Sequence, residues 1–248
     1  MKNREYKGTS PGKDANRNLV WLQHKRLLGR AFGRTEHVFL ASKHAGDVDV
    51  LTALGAPASR IVAVESNEDQ YIPLLDRQKK EGFKLYTTRI ERMIEDVSTR
   101  SVYLDFCGNL IGARHPTAAV VKYMPARSVL SVTLLTGREK SRPANREESL
   151  TKLIRSNTSH RVTLVQRVMY QSTVADSFGV PMATWTFYLG PIESRAKMTF
   201  DMHGFLGRRV VELGDLDEAR KLLRAGQARA RGRRVAALKA WETMRATG

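Results

Sequence analysis

Three short apolar runs between residues 36 and 108 constrain the fold of this chain more than any other feature. They cover residues 37–40, 61–64 and 101–104, and polar segments separate them. The first run leads into a polar turn at 41–47, the second ends on Glu65 and the third ends on Asp105. Buried strands that end in this way predict an α/β sheet, in which ligands bind at the carboxyl ends of the strands.

Further segments follow the same alternation. The helix at 116–123 is expected to begin at Pro116, because proline favours the first turn. Two strand-like segments, 162–170 and 184–189, have no helical segment between them and should pair antiparallel. The chain is therefore predicted to be α/β, with a mostly parallel sheet, helices on both faces and a C-terminal antiparallel strand pair. The predicted parallel strands are 38–40, 61–64, 83–86, 102–106 and 129–135, and the predicted helices are 47–54, 69–81, 90–96, 116–123 and 149–155.

The two ends of the chain are predicted to lie outside this sheet. Residues 1–17 have the composition of a disordered segment, and residues 18–33 form an amphipathic helix with leucines on one face. A charged loop is expected at 137–148, a small hairpin from 198–202 and 209–213, and a final helix after Asp215. The predicted leucine face comprises Leu19, Leu22, Leu27 and Leu28. The predicted units are a basic N-terminal extension at 1–34, an α/β domain at 35–191, a hairpin at 192–214 and a basic helical tail at 215–248.

The net charge of +17 on 248 residues is concentrated at the two ends. Residues 1–34 carry nine Lys or Arg and two acids, and residues 220–245 carry nine Lys or Arg and one acid. The remainder of the chain is nearly neutral. Basic ends favour a polyanionic partner, and nucleic acid is the first candidate. Solvated tails, an anionic membrane surface and an acidic protein are the alternatives.

Several classes of protein are excluded by composition. No apolar run approaches the roughly 18 residues of a membrane span, and residues 1–13 lack the apolar core of a signal peptide. The single cysteine, Cys107, excludes an internal disulfide and a zinc site built on paired cysteines. We therefore expect a cytoplasmic or nucleic-acid-associated protein in a reducing compartment, neither secreted nor membrane-bound.

The order of strands, helices and the final antiparallel pair resembles that of the Rossmann-like, class I S-adenosylmethionine-dependent methyltransferases over residues 36–190. In that family a Gly-rich turn follows strand one, an acid at the end of strand two binds the ribose, and a polar motif follows strand four. Here Ala45-Gly46-Asp47 occupies the turn with one glycine, and Glu65 occupies the ribose position. Glu65 lies 19 residues after Gly46, close to the separation of about 20 expected of a ribose-binding acid. The motif after strand four is Asp105-Phe106-Cys107-Gly108, which keeps the leading acid but lacks two prolines and a final aromatic residue.

The resemblance implies S-adenosylmethionine as cofactor and a set of residues that bind it. Asp105 is also the candidate catalytic residue, because it can accept a hydrogen bond from an exocyclic amine or from the methionyl ammonium. The alternatives are a loop or capping carboxylate for Glu65, a surface turn for Asp105 and a surface histidine for His44. Cys107 is either a nucleophile or, more simply, a small buried side chain. The implied cofactor-binding residues are Ala41, His44, Gly46, Glu65, Ser66 and Asp105.

Arginines and lysines outside the predicted sheet are the candidate nucleic-acid contacts. They lie in the charged loop after strand five and in the C-terminal tail, and phosphate groups are their expected partners. The histidines show no metal-ligand spacing, so no catalytic metal is expected. The candidate nucleic-acid-binding residues are Arg138, Lys140, Arg142, Arg229, Arg231, Arg233 and Arg234.

Three functions follow from these observations. The first is a methyltransferase that acts on RNA or DNA. The second is a non-catalytic nucleic-acid-binding or packaging protein with a methyltransferase-like fold, which the single glycine and the absent prolines favour. The third is a nicotinamide-dependent reductase, against which stand the absence of Gly-x-Gly-x-x-Gly and the terminal antiparallel pair.

Overall fold

The described part of the chain is built around one mixed sheet. A computed structural model describes residues 10–106, 108–136, 143–172, 180–191 and 209–212. Its strands follow the order β3-β2-β1-β4-β5-β7-β6-β8 across the sheet. The strands are β1 Glu36–Leu40, β2 Ile61–Val64, β3 Lys84–Tyr86, β4 Thr99–Asp105, β5 Ser128–Leu135, β6 Arg161–Ser172, β7 Val180–Gly190 and β8 Arg209–Glu212.

Strand direction divides this sheet into two parts. Strands β1 to β5 pair in parallel with one another. Strand β7 is antiparallel to both β5 and β6, because β6 and β7 follow each other without an intervening helix. The predicted Rossmann-like α/β fold with an antiparallel strand pair is therefore confirmed.

Helices cover both faces of the sheet because the inner strands alternate their side chains between two apolar layers. On one face, Phe39 and Ala63 pack with α1, α2 and α3. On the other face, Val38 and Val102 pack with α4, α5 and α6. The helices are α1 Pro11–Leu28, α2 Gly46–Ala53, α3 Glu68–Glu81, α4 Ile90–Met93, α5 Leu110–Tyr123 and α6 Pro143–Ser156.

Helix α1 differs most from its prediction, because it begins at Pro11 instead of residue 18 and includes residues assigned to a disordered segment. The Ser10 side chain accepts a hydrogen bond from the amide of Lys13 and caps the helix. Pro11 and Asp14 then suit the first turn. The predicted leucine face is also wrong in part, since Leu22 is 44% exposed. A 3₁₀ helix, Gly29–Arg34, joins α1 to β1.

Two other helices begin earlier than predicted. Helix α5 starts at Leu110, because Asn109 accepts a hydrogen bond from the Gly112 amide and acts as its cap, so Pro116 lies inside the helix. Helix α6 starts at Pro143, within the predicted charged loop. Arg146, which the sequence placed in that loop, is buried in α6 and donates to the Thr136 carbonyl.

Strand β8 is part of the sheet and pairs in parallel with β6. The sequence placed it in a separate hairpin with residues 198–202, which lie outside the described residues, as does the predicted C-terminal helix. In the part of the chain that the structure describes, no helix has the length and apolar character of a membrane span.

Candidate active site

The carboxyl ends of the parallel strands bring the predicted site residues to one edge of the sheet. The Ala41 amide after β1 donates to the Val64 carbonyl at 2.9 Å. The Glu65 amide after β2 donates to the Tyr86 carbonyl at 3.0 Å. Asp105 is the last residue of β4. The segments that contain Ala41, Glu65 and Asp105 therefore lie along the same edge, as parallel pairing requires.

Glu65 is half-buried at the end of β2 and is held by its own turn. Its Oε1 atom accepts a hydrogen bond from the Asn67 amide at 2.8 Å. Desolvation raises the pKa of the Glu65 carboxyl, and the backbone hydrogen bonds from Asn67 and Ser66 oppose that rise. The next residue, Ser66, is exposed. This geometry agrees with a loop carboxylate and also leaves lone pairs for the hydroxyl groups of a ligand.

The turn after β1 is held from the side by Arg77 of α3. The guanidinium of Arg77 donates to the carbonyls of His44 and Ala45 and pairs with Asp49. Ala45 adopts a left-handed conformation with φ of 39°. The His44 side chain is exposed. The role of His44 as a cofactor contact stays a prediction.

Gly46, the first residue of α2, faces a guanidinium. A Cβ atom at position 46 would lie 2.8 Å from Nη1 of Arg17 and 3.2 Å from its Cζ. The missing side chain therefore makes room for Arg17, which the sequence did not indicate. A cofactor contact at Gly46 stays a prediction, but the residue has a structural reason to be glycine.

Arg17 and Asp47 form a buried ion pair between α1 and α2. Nε of Arg17 lies 2.9 Å from Oδ2 of Asp47, and Nη1 lies 2.6 Å from Oδ1 of Asp14. The Trp21 indole donates to Oδ1 of Asp47 at 2.7 Å. Burial lowers the pKa of Arg17, but Asp47 and other nearby acids outweigh it and raise the pKa above its ordinary value. The guanidinium therefore stays charged and fixes α1 against the start of α2.

Asp105, the candidate catalytic residue, is already paired. The ammonium of Lys13 lies 2.9 Å from Oδ2 of Asp105, with the two side chains 5% and 10% exposed. Among the described residues, Oδ1 of Asp105 has no hydrogen-bond partner although it is buried. A buried acceptor without a donor is costly, so this oxygen marks the place where a donor belongs.

A second buried acceptor comes from α1. Asn16 donates from Nδ2 to the Tyr103 hydroxyl at 2.9 Å, while its Oδ1 finds no partner in the described part of the chain. Tyr103 precedes Asp105 by two residues on β4, so both side chains lie on the same face of that strand. Asn16 follows Lys13 by three residues on α1, which again places the two side chains close together.

Farther along the chain, His24 of α1 and His37 of β1 form a chain of hydrogen bonds between this helix and the sheet. Nε2 of His37 must donate to the Phe32 carbonyl, so Nδ1 of the neutral ring accepts from Ser101. The hydroxyl proton of Ser101 is then used, and Nδ1 of His24 must donate to Ser101 while Nε2 accepts from Ser131. Burial lowers the pKa of His24 well below its ordinary value and that of His37 to about 4. Both rings are therefore neutral in the folded protein at neutral pH.

Sequence reasoning missed the contribution of α1 to this edge. Its first part, with Lys13, Asn16 and Arg17, was assigned to a disordered segment because it lacks an apolar pattern, and its second part was predicted as a helix without the polar contacts that it makes. The sequence Ser10-Pro11 followed by Asp14 is a helix-start signal that could have identified it. The missed residues are Lys13, Asn16, Arg17, Trp21 and His24.

Several predicted site residues cannot be compared with the structure. Cys107 and the charged-loop and tail cations lie outside the described residues. Among the residues that are described, no group of three or more His, Cys, Asp or Glu side chains could hold a metal ion. The undescribed nucleic-acid candidates are Arg138, Lys140, Arg142, Arg229, Arg231, Arg233 and Arg234.

Comparison with known proteins identifies the fold. No protein-family model and no curated protein matches the chain. A solved structure from Pyrococcus horikoshii, assigned as an RNA methyltransferase, aligns with a TM-score of 0.51 at 15% identity, covering 73% of this chain and 85% of its own. An S-adenosylmethionine-dependent methyltransferase from Clostridium acetobutylicum aligns with a TM-score of 0.50 at 9% identity, covering 76% and 96%.

A precorrin-6y C5,15-methyltransferase from Geobacter metallireducens is also similar, with a TM-score of 0.43 at 12% identity over 76% of this chain and 93% of its own. The two higher-scoring alignments show that the chain has the Rossmann-like fold of the class I S-adenosylmethionine-dependent methyltransferases.

Proposed function

We propose that this protein is an S-adenosylmethionine-dependent methyltransferase that acts on nucleic acid, either RNA or DNA. The observation that carries the proposal is the presence of Glu65 and Asp105 at the carboxyl edge of a methyltransferase-type sheet. Glu65 directly follows β2 and Asp105 ends β4, and these two strands flank β1, one on each side. A ligand lying across the end of β1 would therefore meet one acid with its ribose and the other near its methionyl group.

The residues at this edge fit the cofactor in two respects. The half-buried carboxylate of Glu65 keeps acceptor capacity for ribose hydroxyls beyond its bonds to its own turn. The buried Oδ1 of Asp105 lacks a donor, which an ammonium or an exocyclic amine would supply. When bound, S-adenosylmethionine supplies an electrophilic methyl group. The contribution of Glu65 and Asp105 is then to hold donor and acceptor in a productive orientation.

Charge supports a nucleic-acid acceptor. The two cationic ends hold most of the net charge of +17, and phosphate contacts by Lys and Arg supply affinity that depends little on sequence. The Pyrococcus horikoshii protein of the same fold is assigned as an RNA methyltransferase. Because one fold hosts many functions, fold alone does not decide between substrates.

A second candidate is a non-catalytic nucleic-acid-binding or packaging protein with this fold. Two contacts favour it. Arg17 occupies the space beside Gly46, and Lys13 pairs with Asp105, the acid that would meet the ligand. Under this alternative, the cations of α1 permanently replace the ligand's contacts.

Calorimetric titration of the full chain with S-adenosylmethionine and S-adenosylhomocysteine separates the two candidates. We expect both ligands to bind, and we expect Glu65→Ala to lose charge-assisted hydrogen bonds worth about 1.5–3 kcal/mol each. Glu68→Ala, an exposed acid three residues further along the chain, is the matched control and should bind as the wild type does. Absence of heat and of a thermal shift with both ligands would favour the non-catalytic alternative. Transfer of a labelled methyl group to RNA or DNA oligonucleotides then identifies the acceptor.

A further inference from the structure

A cluster of charged side chains lies between α1 and β4, and one of its carboxylate oxygens lacks a hydrogen-bond donor. Two cations, Lys13 and Arg17, face three acids, Asp14, Asp47 and Asp105. The group therefore carries one more negative charge than positive. Within this group, Oδ1 of Asp105 is buried with no donor among the described residues.

The two unpartnered acceptors point to one kind of ligand atom. Oδ1 of Asp105 and Oδ1 of Asn16 are both buried, and Lys13 and Tyr103 connect the residues that carry them. Native proteins rarely leave such atoms unsatisfied, so each one calls for a donor. An ammonium group has three N–H donors and a positive charge, so it suits a buried carboxylate oxygen that has no donor.

Lys13 is suited to exchange places with such a ligand. Its ammonium is a compact charge on a flexible stem, so it can leave Asp105 by side-chain rotation. The helix itself is held in place, because a Cβ at Gly12 would collide with the Gln171 carbonyl of β6. Breaking a buried ion pair is strongly destabilising when it leaves a buried charge without a partner, and here the incoming ammonium would take the place of the outgoing one. Replacement of the Lys13 ammonium by a ligand ammonium at Asp105 should therefore cost little free energy.

We propose that Lys13 is an internal counter-ion that occupies the ammonium position of the cofactor and is displaced from Asp105 when the cofactor binds. The inference rests on the proposed function and adds to it a residue that tunes cofactor affinity. It makes Lys13 a positioning residue for Asp105, and it assigns Asp105 to the methionyl ammonium. The ligand class at this position is a primary ammonium.

The test compares two ligands that share adenosine and differ in the amino-acid group. S-Adenosylhomocysteine carries the ammonium, and 5′-methylthioadenosine lacks it. Lys13→Met removes the competing cation, so binding of S-adenosylhomocysteine should tighten by roughly tenfold or more, the size of a charge-assisted hydrogen bond. Binding of 5′-methylthioadenosine should not change. Lys25→Met is the matched control, because Lys25 lies on the same helix and donates to the Leu54 carbonyl instead.

A second variant keeps the test decisive if Lys13→Met does not fold. Asp105→Asn leaves the Lys13 cation beside a neutral acceptor, so it should weaken S-adenosylhomocysteine by roughly tenfold or more and leave 5′-methylthioadenosine unaffected. An unchanged or reduced preference for S-adenosylhomocysteine in Lys13→Met overturns the proposal, as does an unchanged preference in Asp105→Asn. Failure of both ligands to bind the wild-type chain would instead contradict the proposed function.

Discussion

At the scale of single residues, the shape of the candidate site depends on Gly46, whose lack of a side chain leaves room for a neighbouring residue. The sequence suggested that Gly46 lets the backbone approach a cofactor. In the structure the space beside Gly46 is taken by the guanidinium of Arg17, which pairs with Asp47 and Asp14. A glycine in a nucleotide-binding position can thus serve an ion pair within the protein, and its neighbours must be known before its role is assigned.

Gly46→Ala should destabilise the protein by about 1–3 kcal/mol, the usual cost of overpacking a tight site. The new methyl group would meet Arg17 at 2.8 Å and push it away from Asp47. Alanine is otherwise no worse a helix former than glycine, so a loss of stability is attributed to the contact with Arg17. Urea unfolding measures the change.

Gly112→Ala is the control for this substitution. A Cβ at Gly112, in α5, would meet only Asn109 Oδ1 at an ordinary 3.7 Å. The free energy of unfolding of the Gly112→Ala protein should therefore equal or exceed that of the wild type. A Gly46→Ala protein as stable as the wild type would show that Arg17 moves aside without cost.

At the scale of elements, the sheet was predictable, whereas the start of α1 and its buried polar contacts were not. Strand β2 was predicted at its observed bounds, because a buried parallel strand is a continuous apolar run that needs no partner to be recognised. The buried face of α1 instead carries Lys13, Asn16 and His24. Their partners lie on β4 and β5, far away in sequence, so neither periodicity nor spacing indicates the contacts.

The candidate site divides in the same way. Glu65 and Asp105 were placed correctly at the sheet edge because strand ends fix their position. Lys13 and Arg17 were missed because an ion pair between remote segments leaves no pattern in a single sequence. For the same reason, the sequence could not show that Asp105 already has a cationic partner.

The neutral histidines beneath α1 predict a loss of stability in mild acid. The folded-state pKa of His37 is lowered to about 4, and that of His24 is lowered well below its ordinary value. The unfolded chain binds protons near pH 6.5, so stability is full above that pH and falls as the pH drops toward 4. From about pH 7 to pH 5, His37 alone should cost about 2 kcal/mol.

Unfolding free energies measured at a series of pH values check this expectation. A His115→Gln control should keep the full pH dependence, because His115 is exposed at the surface of α5. The raised pKa values of Glu65 and Asp47 act in the opposite direction, since those carboxyls bind protons more readily in the folded chain. A flat stability profile between pH 7 and pH 5 would contradict the neutral hydrogen-bond chain.

At the scale of the whole molecule, much of the positive charge lies beyond the described sheet in sequence. The described sheet ends with β8 at Glu212, whereas nine of the basic residues lie at 220–245. The candidate acids Glu65 and Asp105 lie in the nearly neutral middle of the chain, and Lys13 joins them from the basic N-terminal end. Affinity for a polyanion and affinity for a cofactor should therefore be separable.

Deletion of the chain after Leu213 should reduce nucleic-acid binding and leave cofactor binding unchanged. It removes nine Lys or Arg side chains but none of the described strands. Each lost phosphate contact should flatten the log–log salt dependence by about 0.9 on duplex DNA and about 0.7 on single strands. Binding titrations at several salt concentrations measure the slope. An unchanged affinity and slope would show that the tail serves another purpose.

Helix α1 also rests on a strand that comes much later in the chain. Gly12 packs against the Gln171 carbonyl of β6, and β7 lies between β5 and β6 in the sheet. The contact between α1 and β6 therefore joins residues that are far apart in sequence, and it forms only after β6 has been synthesised. Because contacts of high sequence separation form slowly, we expect the packing of α1 against this part of the sheet to be a late step in folding.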